Sequence, residues 1–310
     1  MTLFPQEAAT GTEKHNRRKM RKRGHSMRVI TISNQRGGIG KSTTAAALAQ
    51  AACYRGCKTL VIDLDPQGHC SFFIGADTNT AGAFDLLQGK PAAEIIQTTG
   101  AGLDAIPANW SLLIVTPGAG SARRLRKALE PIKGKYDFIF IDTPATAGEL
   151  QNNAMMASTD LIIPLQADIT GTKSLYLVTD AAKQIQRANP ELQITGYILT
   201  SAGGRSTLAR QMAEQIQQRA AAINVPCLGA IRKAVAIQEA QALQASLFDY
   251  APKSNPAADY LGTRQERTYR MLRTSASDTS RRTSSSPPER VKLSTSALTT
   301  VFSKFSIRRR

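Results

Sequence analysis

The sequence lacks the features that would place it in a membrane or outside the cell. No apolar run reaches the roughly 18–20 residues that a membrane-spanning helix needs. The basic amino terminus is not followed by the apolar core of a signal peptide. We therefore expect a reducing cytoplasm as the compartment, and we do not expect a membrane as a partner.

Cysteine is also scarce. The chain has four cysteines, Cys53, Cys57, Cys70 and Cys227, and none of them shows C-x-x-C spacing. Cys53 and Cys57 lie four residues apart on a predicted helix, and His69 precedes Cys70. Because a buried cysteine is usually a small core residue, this spacing disfavours a metal site built from the four thiols.

Positive charge is abundant, but it is concentrated at the two ends of the chain. Of the formal net charge of +17, residues 1–27 carry +5, residues 263–310 carry +9 and residues 28–262 carry only +3. Basic ends favour a polyanionic partner, either nucleic acid or anionic lipid, although they could also be solvated and incidental. We expect a disordered basic leader over 1–27, one domain over 28–273 and a mostly disordered Ser/Thr-rich basic tail over 274–310.

Apolar, β-like runs alternate with helical patterns from residue 28 onward. The runs are continuous in Val, Ile and Leu, which is typical of strands buried on both faces. Because this alternation extends over more than 200 residues, it predicts a doubly wound, mostly parallel α/β sheet. The predicted strands are 29–33, 59–65, 103–107, 137–142, 160–165, 194–200 and 227–231.

A glycine-rich stretch, NQRGGIGKSTT at residues 34–44, follows the first predicted strand and opens a helix. It nearly matches the phosphate loop G-x-x-x-x-G-K-[ST], but Gln35 stands where the first glycine is required. In such a loop, backbone N–H groups and a helix amino terminus bind phosphate, Lys41 reaches the β- and γ-phosphates, and Ser42 ligates Mg²⁺. The alternative, a tight turn with a surface lysine, is disfavoured because strand, glycines, Lys-Ser pair and helix occur together.

Three acidic residues follow predicted strands. Asp63 and Asp65 end the run TLVIDLD, and Asp142 ends the run DFIFID. Ligands of open α/β sheets bind at the carboxyl ends of the strands, and a carboxylate at that position is the Walker B pattern that holds Mg²⁺. The alternative is that one or more of these acids caps a helix or a turn.

These segments carry a resemblance to a known family. NQRGGIGKSTT, LVIDLDPQG, FDLLQGKPAAEII, GLDAIPAN and YDFIFIDTPATAGEL resemble, in order from about residue 27 to residue 260, the ParA/Soj partition ATPases of the ParA/MinD superfamily. The resemblance implies a P-loop NTPase with a deviant Walker A loop, in which Gln35 and the glycine pair are expected. The chain departs from the family at Arg36, where the family has its signature lysine, and at Ala145, where the family often has a second proline.

The resemblance also implies roles for individual residues, with ATP and Mg²⁺ as cofactors. Asp65 would position the attacking water, Lys41 would act on the phosphates in cis, and Arg36 would reach the phosphates of a partner subunit in an ATP-bound homodimer. Mg²⁺ would be held by Ser42 and Asp142, with Asp63 as a less certain second acid. The implied nucleotide-binding residues are Arg36, Gly37, Gly38, Ile39, Gly40, Lys41, Ser42 and Thr43.

Members of the family bind DNA without sequence preference, and this chain has candidate contacts in a predicted helix capped by Ser206. Arg205 precedes the helix and resembles an arginine of the family's DNA-binding surface. Arg210 points away from the predicted apolar face, whereas Arg219, which lies near that face, and Arg232 with Lys233 are weaker candidates. Each could instead be an ordinary solvated charge. The predicted apolar face consists of Leu208, Met212, Ile216 and Ile223.

We therefore expect a slow, Mg²⁺-dependent partition ATPase in the cytoplasm, associated with the nucleoid. It would dimerise on ATP, bind non-specific DNA and be released on hydrolysis stimulated by a ParB-like partner. One alternative is a MinD-like membrane-cycling ATPase, for which residues 297–310 give a short, weak amphipathic pattern. Others are a metabolic or signalling enzyme with the same loop, and an ATP-gated DNA-binding switch whose turnover is weakened by Arg36.

Overall fold

The structure is a computed structural model, and it describes residues 27–202 and 207–261. The basic leader up to residue 26, the Ser/Thr-rich tail and the segment 297–310 lie outside the described residues. Arg205 and the expected cap Ser206 also lie outside them.

The described residues form one eight-stranded sheet with the order β3-β4-β2-β5-β1-β6-β7-β8. Every neighbouring pair is parallel except the short antiparallel pair of β3 with β4. The strands are β1 (Arg28–Ile32), β2 (Thr59–Asp63), β3 (Gln97–Thr98), β4 (Asp104–Ile106), β5 (Phe138–Asp142), β6 (Asp160–Gln166), β7 (Gln193–Ala202) and β8 (Cys227–Arg232). The mostly parallel α/β sheet expected from the sequence is confirmed.

The central strands are apolar on both faces because helices cover both sides of the sheet. Every residue of β1, β2 and β5 is buried. Along β5, Phe138 and Phe140 enter one core, while Ile139 and Ile141 enter the other. Because both faces of these strands are buried, their sequences are continuous apolar runs and do not alternate between apolar and polar residues.

Ten α-helices lie in the described part of the chain, and most of them cover the two faces of the sheet. One face packs against α1 and α8–α10, and the other packs against α3–α7. The helices are α1 (Lys41–Tyr54), α2 (His69–Phe73), α3 (Ala83–Leu87), α4 (Arg124–Leu129), α5 (Glu149–Ala157), α6 (Gly171–Gln186), α7 (Thr207–Ala222), α8 (Val235–Ala242), α9 (Leu247–Tyr250) and α10 (Asn255–Leu261).

Helix α7 corrects one expectation about burial. The predicted apolar face included Leu208, but that side chain is 53% exposed, whereas Ile216 and Ala220 are fully buried. A Cβ placed at Gly171 of α6 would lie 2.6 Å from Ile216 Cδ1, so the two helices touch closely at this point. Only Ile216 and Ala220 of α7 are therefore buried, both in its carboxyl-terminal half, and its first turn faces solvent.

None of the helices in the described ranges is long and apolar enough to cross a membrane.

Candidate active site

The glycine-rich loop connects the end of β1 at Ile32 to the start of α1 at Lys41. Gly38 and Gly40 have φ angles of 71° and 84°, in the left-handed region. Only glycine adopts that region without strain, so these two glycines permit the tight turn at the amino terminus of α1. The sequence prediction of a strand, a turn and a helix is confirmed here.

Side chains from three other elements hold this loop. The Thr200 hydroxyl at the end of β7 donates to the Ile39 carbonyl at 2.7 Å. The Gln166 amide at the end of β6 donates to the Gly38 carbonyl at 3.2 Å. The Gln241 amide of α8 donates to the Thr43 hydroxyl at 3.1 Å. These bonds fix the loop in a defined conformation, which is what an anion-binding turn needs.

Lys41 is folded back over the loop. Its side chain is buried, and its ammonium group donates to the Arg36 carbonyl at 2.8 Å. Burial lowers the pKa of Lys41, while the nearby carboxylates Asp142 and Asp65 act in the opposite direction. The ammonium group thus lies between the loop and the acids. In this position it could bind the phosphates of a nucleotide.

The acids Asp63 and Asp142 end adjacent strands and lie side by side in the register of β2 with β5. Asp142 is fully buried, and neither of its carboxylate oxygens has a well-formed hydrogen bond. Burial raises the pKa of Asp142 well above its usual range, as does Asp63, and the nearby Ser42 hydroxyl lowers it. A buried carboxyl group without partners is costly, and a cation would satisfy it. Asp142 and Ser42 are hard oxygen ligands and fit Mg²⁺.

Asp63 is already engaged within the chain. Its carboxylate accepts hydrogen bonds from the Ser71 backbone N–H at 2.8 Å, the Ser71 hydroxyl at 2.7 Å and the Asp65 backbone N–H at 3.0 Å. Burial raises the pKa of Asp63 to about 6, against the effect of these bonds. The geometry gives Asp63 a role in holding the start of α2, and its role as a metal ligand stays a prediction.

Cys70 is a site residue that the sequence reasoning missed. Its sulfur and the carboxylate oxygens of Asp63 and Asp142 lie within 4.8 Å of one another, and all three residues are buried. Burial raises the pKa of the Cys70 thiol, and the neighbouring carboxylates raise it further. Cys70 follows Asp63 by seven residues on a separate helix, so no local spacing connected it with the acids.

Asp65 lies beyond the end of β2 and is half-buried. Its carboxylate accepts from the Gln67 backbone N–H at 3.0 Å. Unlike Asp63, it is partly exposed and acts electrostatically on Lys41. This position suits the predicted role of orienting a water molecule, which stays a prediction.

Arg36 makes an ion pair within its own chain. One guanidinium nitrogen lies 2.7 and 2.6 Å from the two carboxylate oxygens of Asp168, and each of these side chains is about one-third exposed. The same carboxylate accepts from the Thr170 N–H at 3.0 Å and the Thr170 hydroxyl at 2.9 Å. Burial alone would raise the pKa of Asp168, but these hydrogen bonds hold it below its usual value. Sequence reasoning missed Asp168, which lies 132 residues from Arg36.

The predicted DNA contacts are not all free in the structure. Arg210 and Arg219 are exposed on α7. Lys233 is also exposed, but its neighbour Arg232 is bound to Asp259, with Nη2–Oδ1 and Nε–Oδ2 distances of 2.7 and 2.9 Å. Arg210 and Arg219 are therefore better placed to bind a ligand than Arg232 is.

A glycine-rich loop at the start of a helix, with two buried acids at the ends of adjacent strands, defines a P-loop α/β nucleotide-binding protein. A family model described as "AAA domain" (AAA_31) matches residues 27–194. The chain is 32% identical over 248 residues to the sporulation initiation inhibitor protein Soj of Bacillus subtilis, which covers 77% of this chain and 97% of Soj. It is 37% identical over 202 residues to the chromosome partitioning protein ParA of Caulobacter vibrioides, covering 62% and 76%.

A solved structure shares the fold. Cobyrinic acid a,c-diamide synthase from Mycobacterium smegmatis, with bound ADP and magnesium, superposes with a TM-score of 0.66 at 26% identity, covering 84% of this chain and all of that one. A synthase thus shares this architecture, so the fold alone does not decide the reaction. With the family model and the two relatives, however, the chain belongs to the ParA/Soj family of the AAA domain proteins.

Proposed function

We propose that this chain is an ATP-hydrolysing DNA partition protein. It binds ATP and Mg²⁺, dimerises, holds non-specific DNA in the cytoplasm and leaves the DNA when a ParB-like partner stimulates hydrolysis. The observation that carries the proposal is the buried carboxyl group of Asp142, which has no well-formed hydrogen bond and lies near Lys41 and the glycine-rich loop. Support comes from membership of a family in which a relative is named a chromosome partitioning protein.

The loop residues and the acids would have different roles in the binding and hydrolysis of ATP. Lys41 and the loop N–H groups bind the phosphates, Ser42 and Asp142 hold the metal ion, and Asp65 orients the attacking water. Magnesium, when bound, neutralises charge on the β- and γ-phosphates. The solved synthase with ADP and magnesium supports this choice of ligands.

Arg36 would act on the ATP of a second subunit, but only after it leaves Asp168. A partly exposed ion pair of this kind contributes about 0.2–1 kcal/mol, so it exchanges easily. A phosphate group offers the guanidinium the same planar, two-point contact as a carboxylate, with more negative charge. ATP and a second subunit would therefore compete with Asp168 for Arg36.

DNA would bind through its phosphates, to Arg210 and Arg219 of α7 together with Arg205. Close contact between α6 and α7 at Gly171 and Ile216 places this helix next to the segment that carries Asp168. Release of Arg36 from Asp168 could therefore affect the DNA contacts through the packing of α6 against α7. Phosphate contacts would make the affinity strongly dependent on salt.

The test is DNA binding by the full chain in three nucleotide states. Fluorescence anisotropy with a duplex of arbitrary sequence would be measured with ATP, with ADP and without nucleotide, each at 50 mM and 200 mM salt. We expect tight binding with ATP only, which weakens strongly at the higher salt.

The matched control is Lys41→Ala, which should lose the effect of ATP while keeping the basic ends of the chain. Equal binding in all three states would rule out the ATP-gated cycle. Binding to anionic vesicles with ATP, and not to DNA, would favour the membrane-cycling alternative.

A further inference from the structure

One short segment holds all of the positive excess of residues 28–262. These residues contain 21 basic and 18 acidic side chains, which gives +3. Residues 121–135 contain six basic side chains and one acid, which gives +5, so the remainder has 15 against 17, or −2. We name the six the α4 basic strip. Its members are Arg123, Arg124, Arg126, Lys127, Lys133 and Lys135.

The strip faces outward because its helix is anchored by apolar residues. Leu125 and Leu129 of α4 and Ile132 of the following turn are buried in a core shared with β2 and β5. Arg123, Lys127, Lys133 and Lys135 are exposed, whereas Arg124 and Arg126 are half-buried. The helix therefore presents charge to solvent in a fixed arrangement.

Acidic neighbours neutralise only part of the strip. Arg126 pairs with Glu191 at 3.2 Å, and Lys133 pairs with Glu130 at 3.5 Å. Within residues 27–202 and 207–261, no acidic group lies within ion-pair distance of Arg123, Arg124, Lys127 or Lys135. A concentration of unpaired cations on a rigid surface favours a polyanionic partner.

The chemistry of the surface favours phosphate over lipid. A helix that binds at a membrane interface needs large apolar side chains beside its basic ones. Residues 115–140 include none of the large apolar side chains that are exposed in the described part of the chain, and the exposed Trp110, Leu113 and Ile114 precede the strip on a separate 3-10 turn. Arg and Lys on a segment that exposes no large apolar side chain of its own are typical of contacts with the nucleic-acid backbone.

The strip shares a helical layer with the predicted DNA contacts. In that layer α4 packs on α5, α5 on α6 and α6 on α7. With neighbouring helices 8–10 Å apart, α4 and α7 lie about 25–30 Å from each other, less than one turn of B-DNA at about 34 Å. One duplex can therefore reach both ends of the layer.

We infer that the α4 basic strip is a second contact surface for the sugar–phosphate backbone of duplex DNA, separate from Arg205, Arg210 and Arg219. This inference rests on the proposed function. The strip does not distinguish one DNA sequence from another, because contacts with phosphates do not depend on the identity of the bases. It adds affinity and orients the duplex across the helical layer.

The experiment compares two double variants of the full chain. Arg123→Gln with Lys127→Gln removes two exposed cations of the strip. Lys90→Gln with Lys253→Gln removes two exposed cations outside the strip and leaves the same net charge. DNA affinity with ATP and Mg²⁺ is measured over a series of salt concentrations.

Each lost phosphate contact lowers the slope of log affinity against log salt by about 0.9. The slope of log affinity against log salt should therefore be smaller by about 2 in the strip variant. The DNA affinity at 50 mM salt divided by that at 200 mM salt should then be about tenfold smaller than in the wild type. The control pair should keep the wild-type slope. A charge-keeping variant, Arg123→Lys with Lys127→Arg, should restore it, and basal ATP hydrolysis should be unchanged in all three variants.

The outcomes separate this inference from the proposed function. If the wild type binds DNA with ATP only, and the strip variant keeps the slope of the control, the second surface is ruled out while the partition proposal stands. If the wild type binds DNA in no state, both fail. Loss of binding to anionic vesicles in the strip variant, with DNA binding intact, would make the strip a lipid surface and overturn the inference.

Discussion

At the scale of single residues, the most informative contact is the ion pair of Arg36 with Asp168. The sequence predicted that Arg36 reaches a partner subunit, and the structure shows its guanidinium held by a carboxylate of its own chain. The prediction and the observed ion pair are compatible if the ion pair is exchanged for a phosphate. Asp168 would then set how readily Arg36 is released.

Replacing Asp168 with asparagine should strengthen the ATP-dependent dimer. Asparagine still accepts from Thr170 but no longer holds the guanidinium by charge, so Arg36 becomes free. Each of the two subunits would release one partly exposed pair of about 0.2–1 kcal/mol, so the dimer dissociation constant should fall by up to about thirtyfold. Sedimentation velocity with ATP would measure it.

Asp180→Asn is the matched control, since it removes an exposed acid from α6. An unchanged or weaker dimer in Asp168→Asn would show that the pair does not restrain Arg36.

A second prediction at this scale concerns Asp142. Asp142→Asn should raise the stability of the nucleotide-free chain at neutral pH by about 1–3 kcal/mol, because a buried carboxyl group with no well-formed hydrogen bond becomes a neutral amide. The folded-state pKa of Asp142 lies above its unfolded value. Its charged form is therefore penalised at high pH, and the advantage of the variant shrinks as pH falls below the raised pKa and is lost below the unfolded-state pKa of about 3.9.

Urea unfolding at several pH values would measure this effect, with the exposed Asp249→Asn as control. The variant should also lose the stabilisation that Mg²⁺ with ATP gives to the wild type. A less stable variant at all pH values would mean that Asp142 has a protein partner and is not reserved for a cation.

At the scale of elements, the contact between α6 and α7 links the Asp168 segment to the predicted DNA helix. Gly171 begins α6, and its N–H donates to the Asp168 carbonyl at 3.1 Å. A Cβ there would meet the Gln166 carbonyl at 2.5 Å and Ile216 Cδ1 at 2.6 Å. Glycine is needed at this position for close approach and not for a left-handed φ angle.

Gly171→Ala should therefore destabilise the chain by about 1–3 kcal/mol, because the backbone carbonyl of Gln166 cannot move aside cheaply. Thermal unfolding would measure the loss. Gly229→Ala is the control, since an added Cβ there meets nothing within 4 Å. Equal stability of the two variants would show that α6 and α7 can separate freely.

At the scale of the whole molecule, the strand order explains why the acids and the loop meet. β1 lies between β5 and β6, and β2 lies next to β5. The carboxyl ends of these parallel strands share one edge, where Ile32, Asp63 and Asp142 end β1, β2 and β5. Ligands of doubly wound sheets bind at that edge. The helical layer over α4 to α7 then offers a separate, basic surface for a large anion.

From the amino-acid sequence we could predict the fold class, the glycine-rich loop and seven of the eight strands that lie in the described residues. Those signals are local, since continuous apolar runs, left-handed glycines and a Lys-Ser pair depend on neighbours in the chain. The prediction missed β3, because two residues at a sheet edge, Gln97 and Thr98, carry no apolar pattern. It also placed Leu208 in an apolar face, because helical periodicity does not say how much of a helix is covered.

The partners of the site residues became visible only in the folded chain. Asp168 lies 132 residues from Arg36 in the sequence. Arg232 at the end of β8 forms an ion pair with Asp259 of α10. Cys70 reaches the acids only because α2 folds back over the ends of β2 and β5. Such contacts depend on chain segments that pack together irrespective of their spacing in sequence. A motif can therefore name the residues that carry charge, but the fold alone decides which of those charges are left without a partner and can bind a ligand.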